Sequence, residues 1–581
     1  MREADTPDFD LIVRNGTIVD GTGRPAYRGD VAVKGGLIAA VGEVRGNAAE
    51  EIDASGSIVT PGFVDVHTHY DGQITWEHRM APSSAHGVTT IVMGNCGVGF
   101  APVRPSDHEL VIRLMEGVED IPGVVMAEGV PWNWESFPDY LDALEQRHAD
   151  VDFAAQLPHS PLRVYVMGER GAAMEPPTDE DLQRMREITA EAVRAGALGV
   201  TTSRNLSHRF RDGTPAPSVN TEADELLALA SGLRDAGAGV FQLIPNLDAA
   251  ADTQAALMKR IVEESGRPLS FSLIPDFRSK GNWPIYRNLI DEAAEKGLPV
   301  RGQFYPRAMG VLFGLDLSFH PFSLNPSYRA IEDLSLAEKV AAMRDPDMRA
   351  RLLAEKPEHP SPFFTMIVGM THAMWALDNP PNYCPRVEDS IAARAKRDGV
   401  SERELIYDEL LKDDGHAVLM SIGDSNPSDH LARTQNLYQH ERAVVGLGDG
   451  GAHYGMICDA AYPTFVLTRL VQEGEVGLED AVRSMTRATA ETVGLEDRGV
   501  IAPGYKADLN VIDLDGLGMA RPSIATDLPG NGKRLHQHSR GYRATVLSGT
   551  VTYRDGAATG ALPGRLVRGA QERPAVEPVP A

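Results

Sequence analysis

The sequence predicts an α/β protein, a TIM-like (β/α)8 barrel with a small β-sandwich domain formed from both termini. Eight apolar runs of strand length alternate with helical patterns, near residues 59–66, 88–95, 151–158, 197–203, 239–245, 268–274, 298–304 and 442–449. Eight parallel strands with crossover helices is the count that closes such a barrel. Hairpin-like sequence flanks the pattern at both ends, and the first run ends in His67-Thr68-His69, at the strand end where barrels of this kind carry their chemistry.

Taken in order, residues 10–21 read as a tight hairpin turning at Asn15-Gly16, and a second hairpin joins 31–33 to 37–41 through Gly35-Gly36. Segments 507–513 and 545–553 are similar in kind. Lone hairpins are marginal in water, so 1–58 and 500–581 are expected to pair as one sandwich domain, with 59–499 as the barrel. Helices over 180–194 and 222–236 each stop before a glycine or Ala-Gly. An insert of about 308–440 separates the seventh and eighth runs, far beyond an ordinary loop, and carries helices near 336–344 and 348–355. It is expected to cover the catalytic mouth as a lid or to form an oligomer contact.

At 581 residues the chain exceeds one ordinary core. Its apolar and charged fractions, 42% and 24%, are those of a soluble globular protein. Acidic residues exceed basic ones by 82 − 56 = 26, which argues against nucleic acid or an anionic membrane as a partner. No stretch is apolar enough to span a bilayer, and Met1-Arg2-Glu3-Ala4-Asp5 lacks the order of a signal peptide, so a cytoplasmic address is expected. Cys96, Cys384 and Cys458 are too scattered for a disulfide framework and are expected as reduced thiols.

Side chains on a strand repeat every second residue, so His67 and His69 leave the first strand on one side and converge as metal ligands. The second run ends in Gly94-Asn95-Cys96-Gly97, where the thiol is either an inert buried group or a zinc ligand. His159 ends the third, as a candidate to polarise a scissile carbonyl or as a hydrogen-bonded strand-end residue. Arg204 ends the fourth, suited to a substrate carboxylate or a neighbouring acid, with His208 one turn further. Tyr305 and Arg307 end the seventh. Asp449 ends the eighth, followed by His453; an aspartate there ligates a metal weakly and takes a proton from water.

The runs Asn15-Gly16-Thr17-Ile18-Val19-Asp20-Gly21, Pro61-Gly62-Phe63-Val64-Asp65-Val66-His67-Thr68-His69, Gly87-Val88-Thr89-Thr90, Gly94-Asn95-Cys96-Gly97 and Ala507-Asp508-Leu509 carry a family resemblance. Nearly end to end, the chain resembles the amidohydrolase superfamily and, within it, the D-aminoacylase (N-acyl-D-amino-acid deacylase) branch. The resemblance implies a barrel with a small sandwich, His67, His69 and Asp449 at one zinc with Cys96 beside it, and hydrolysis of a small-molecule amide by a metal-activated water. In that branch the fifth and sixth strands each supply a histidine for a tighter zinc, and many relatives carry a carboxylated lysine on the fourth. Here 240–244 and 269–274 contain no histidine, and the fourth run has Thr201, Thr202 and Ser203. One metal is therefore expected rather than two, with Cys96 or Gln242 as a fourth contact and other divalent ions open. The expected activity is cleavage of a linear amide C–N bond in an N-acyl amino acid or related carboxylated amide. Hydrolysis of a cyclic amide, ester or lactone, and a non-catalytic scaffold, are the alternatives.

Overall fold

The computed structural model describes residues 7–274, 281–359, 362–423 and 427–575. Two parallel ladders form its centre. Phe63–Asp65 pairs with Val88–Met93, and that strand with Asp152–Ala155. The second ladder runs Leu157–Pro158, Gly199–Ser203, Val240–Ile244, Leu269–Leu273, Val300–Phe304 and Ala443–Val445, each parallel to the next. The third run thus serves both ladders, changing partner at Gln156. A parallel bridge between Thr68 and Gly450 joins the outer strands, an order that fits a barrel. Nearly all of these strand residues are buried, which is why the runs read as continuous apolar sequence rather than as alternation.

The helix Asp179–Ala195 starts at a capping box of Thr178 and Asp181 and ends at Gly196, whose φ of 119° suits a residue without Cβ. It buries Met185, Ile188 and Val193. Ala223–Ala236 follows the same rule, ending at Gly237.

Strands from both termini share one nine-stranded sheet. Phe9–Ile18 runs parallel to Ile58–Pro61 and antiparallel to Tyr27–Lys34. Ile58–Pro61 pairs antiparallel with Leu509–Ile512, which continues into Tyr542–Leu547 and Thr550–Arg554. Leu11, Val13, Val31, Val59, Leu509, Val511 and Val546 form the core of this unit.

Two local expectations are corrected. Asn15-Gly16 is no hairpin turn: the strand runs on through it as an irregularity in register, with Asn15 at φ 61°. The reason is packing, since a Cβ at Gly16 would stand 2.4 Å from Val59 Cγ2. The first apolar run is also divided, because Ile58–Pro61 belongs to the terminal sheet and Phe63–Asp65 to the central strands. Gly62 makes the step, pressed so closely on Thr89 that a Cβ would lie 2.1 Å from its Oγ1.

The insert holds an antiparallel sheet of Gly310–Phe313, Met374–Ala376 and Leu419–Ile422. It packs a core of its own around Phe313, Phe322, Met343, Leu352 and Tyr407. No helix among the described residues is long and apolar enough to cross a membrane.

Candidate metal centre and active-site cavity

The His-x-His segment is stitched to the neighbouring strand ends by its backbone. Thr68 N–H donates to Val92 O at 3.1 Å, His69 N–H to Gly450 O at 2.7 Å, and Asp449 N–H to His67 O at 3.1 Å. The two imidazoles therefore face the same space as Asp449. Cys96 enters from the second strand in a left-handed conformation, φ 56°, between Gly94 and Gly97 at φ 83° and 67°. Side chains rarely adopt this backbone, so the thiol is aimed at a cost in strain. Asn95 Nδ2 braces the turn by donating to Thr68 O and Val92 O.

His67, His69 and Cys96 offer ligand atoms that all lie within 4.8 Å of one another. Cys96 Sγ is 3.3 Å from His67 Nε2 and 3.6 Å from His69 Nε2. Asp449 Oδ1 is 3.4 Å and 3.8 Å from the same two nitrogens. Burial drives the His67 imidazole down to about 3 and His69 well below its ordinary range, so both rings are neutral, as metal ligands must be. Burial also pushes the Cys96 thiol, Glu119 and Asp449 well above their ordinary values. The charges acting on Cys96 are those of Glu119, Asp449 and Asp71, all acidic. A buried cluster of nitrogen, sulfur and carboxyl donors, whose acids resist ionisation unless a cation stands among them, fits a divalent cation of the zinc type.

The cavity above this cluster is lined by His67, Cys96, Tyr305, Asp449, His208 and His453. It thus gathers most of the polar residues singled out in the sequence. Its far wall comes from the insert, with Met309, Phe319, Phe364, Met366 and Met370. The two strands without histidine also bury polar groups: Gln242 has neither side-chain atom partnered and Ser272 Oγ is unpartnered.

Three candidates lie elsewhere. His159 is fully buried, its Nδ1 2.8 Å from Thr202 Oγ1 and its Nε2 2.8 Å from Glu225 Oε1, so neither nitrogen is free to meet a substrate. Arg163 Nε donates to the same Glu225 oxygen at 2.8 Å, which makes His159 part of a buried strut between strand end and helix. Arg204 turns from the cavity to Gln254 and the Thr221 carbonyl. Arg307 is held by Asp459 and the Cys458 carbonyl and stacks 3.5 Å above the Tyr383 ring.

In their stead the cavity wall carries Glu119 and Arg211. Glu119 had one legible signal, a cluster of acids where the helix His108–Val118 ends, the end at which the helix dipole disfavours negative charge. Arg211 had none, since it sits in a loop without periodicity.

The amidohydrolase family profile matches residues 50–553. The chain belongs to the amidohydrolase family. A D-aminoacylase of Alcaligenes xylosoxydans xylosoxydans is 27% identical over 572 residues, covering 98% of this chain and 99% of that protein. Among solved structures, N-acyl-D-glutamate deacylase from Bordetella bronchiseptica, complexed with zinc and a phosphonate mimic of the tetrahedral intermediate, is similar with TM-score 0.63 and 23% identity, over 97% of this chain and 100% of that one. A D-aminoacylase described by its binuclear metal centre is similar with TM-score 0.62 and 24% identity, over 96% of this chain and 100% of that one. The two structures are evidence of a shared α/β fold.

Proposed function

We propose that this amidohydrolase cleaves the linear amide C–N bond of an N-acyl amino acid or a closely related carboxylated amide. The observation that carries the reading is the convergence of His67, His69, Cys96 and Asp449 on one buried, acid-rich point at the ends of parallel strands. The D-aminoacylase relative, similar over almost its whole length, supports the substrate class. The metal is zinc, held by those four residues, and one ion per chain is the reading favoured by strands Val240–Ile244 and Leu269–Leu273, which carry no histidine.

A bound zinc supplies Lewis acidity, polarising water and the amide carbonyl. Asp449 accepts the proton of the attacking water and hands it to the leaving nitrogen, which departs as the free amine beside a carboxylate. Tyr305, kept protonated by burial and by the acids around it, donates its hydroxyl to the developing oxyanion. Arg211 takes the substrate carboxylate. Its guanidinium is the one arginine fork among the described cavity residues, and its contacts to Glu116 and Asp120, at 3.7 Å and 3.5 Å, are loose enough to exchange. The methionine and phenylalanine wall of the insert receives an apolar group of the substrate, with the insert as lid.

We read the strand order as a closed (β/α)8 barrel and the nine-stranded unit as a β-sandwich, joined at Gly62. The sandwich takes in 7–57 and 500–575 together with Ile58–Pro61, the remainder of the expected 1–58 and 500–581 lying outside the described residues. Three free thiols suit the reducing cytoplasm.

The test is hydrolysis by the zinc-loaded protein of N-acyl D- and L-amino acids against cyclic amides, followed as amine release. Release from the linear substrates is expected. Ring opening alone, or no turnover with any amide, would overturn the reading.

A further inference from the structure

We infer that Glu119 is a positioning residue that sets the tautomers of two histidines at once, His69 behind the metal position and His453 on the cavity wall. The inference rests on the metal reading above. Glu119 is 1% exposed, and neither of its carboxylate oxygens has a hydrogen-bond partner. A buried carboxylate left in that state calls for a reason.

Its surroundings supply one. Glu119 Oε1 faces His69 Nδ1 at 3.5 Å, and Oε2 faces His453 Nε2 at 3.7 Å. The backbone adds a third tie, since His453 N–H donates to the Glu119 carbonyl. A cation at the metal position would hold Glu119 ionised against the effect of its burial, and an ionised carboxylate only accepts, so the imidazole nitrogens turned toward it are then the ones that carry hydrogen.

For His69 this puts the proton on Nδ1. The lone pair is then on Nε2, the nitrogen turned toward Cys96 Sγ and Asp449 Oδ1. For His453 it puts the proton on Nε2 and leaves Nδ1 an acceptor, and that atom is buried and unpartnered in a residue that lines the cavity. One side chain thereby orients a metal ligand and presents a hydrogen-bond acceptor to substrate. The arrangement follows the general pattern in which a carboxylate behind a ligating histidine fixes its ring, and loss of such a partner weakens metal binding by about 10- to 100-fold.

The experiment compares zinc affinity of the full-length wild type and Glu119→Gln by chelator competition, and reads histidine tautomers in the zinc-loaded wild type by nitrogen-15 NMR with selective histidine labelling. The expected result is zinc binding weaker by about 10- to 100-fold in the glutamine variant, partly restored in Glu119→Asp, with unchanged circular dichroism. In the spectrum His69 is protonated on Nδ1 and His453 on Nε2. Equal zinc affinity in a folded Glu119→Gln, or the opposite tautomer at either histidine, overturns the inference while leaving the metal reading intact. Should the glutamine variant fail to fold, the wild-type spectrum decides. A wild type that takes up no zinc overturns both.

Discussion

Asp449 Oδ1 lies 3.4 Å from His67 Nε2, and the backbones of the two residues are joined by the Asp449 N–H to His67 carbonyl bond. The eighth strand end is thereby held against the first, so the carboxylate is positioned by the fold and not by its own rotamer alone. Replacing it by the isosteric amide keeps that backbone bond and removes the proton acceptor. Asp449→Asn is expected to fold normally and to lose about 10²- to 10⁴-fold in kcat. Turnover within a factor of two of wild type would remove Asp449 from the proton path.

Arg211 is the specificity prediction. Arg211→Met should raise KM for an N-acyl amino acid and leave the corresponding uncharged N-acyl amino acid amide nearly untouched. A charge-assisted contact of this kind contributes about 1.5–3 kcal/mol, roughly 10- to 150-fold in kcat/KM. If acid and amide substrates lose equally, the carboxylate is bound elsewhere.

His159 separates a structural histidine from a catalytic one. With both ring nitrogens engaged by Thr202 and Glu225, His159→Gln should destabilise the protein by about 1–3 kcal/mol in urea unfolding. Its turnover per folded, metal-loaded molecule should stay near wild type, whereas loss of an oxyanion donor costs about 10²- to 10³-fold. Such a loss in folded protein would return His159 to the reacting site.

A pH dependence follows from His86, which bridges two parts of the chain: its Nδ1 is 2.7 Å from Thr464 Oγ1 and its Nε2 2.9 Å from Gln537 O. Burial drives this imidazole from 6.5 down to about 4. Above the higher value the ring is neutral in the folded and unfolded chain alike. As pH falls from 6.5 to about 4, the unfolded chain takes up a proton that the native state refuses, so stability is lost over that window. The slope approaches a magnitude on the order of 1 kcal/mol per pH unit for this one group. Urea midpoints at several pH values should therefore fall less steeply with acid in His86→Gln than in wild type. Parallel slopes would show that the ring does not titrate as its burial implies.

Much of the frame was legible beforehand. The eight apolar runs contain the nine central strand segments, two of them in the third run, because a parallel strand buried on both faces is largely apolar. His67 and His69 were legible because period two puts alternate side chains on one side. Asn15-Gly16 misled because its local chemistry is that of a turn, while the close approach of Val59 makes it an irregularity inside a strand. Arg204 misled in another way: a strand end names the residue, but the direction of its side chain depends on Gln254 and Thr221, contributed by later segments.

By itself, then, the sequence determined the alternation of elements, the convergence of the His-x-His pair, the glycine-flanked Cys96 and the strand-end Asp449, since each is written in local period, turn chemistry or position along a strand. Only the tertiary structure decided that Glu119 and Arg211 face the cavity, that His159 is sealed into a strut with Glu225 and Arg163, and that the insert supplies the apolar wall. Those outcomes depend on contacts between residues far apart in the chain, and a side chain's burial and partners are properties of the packed whole.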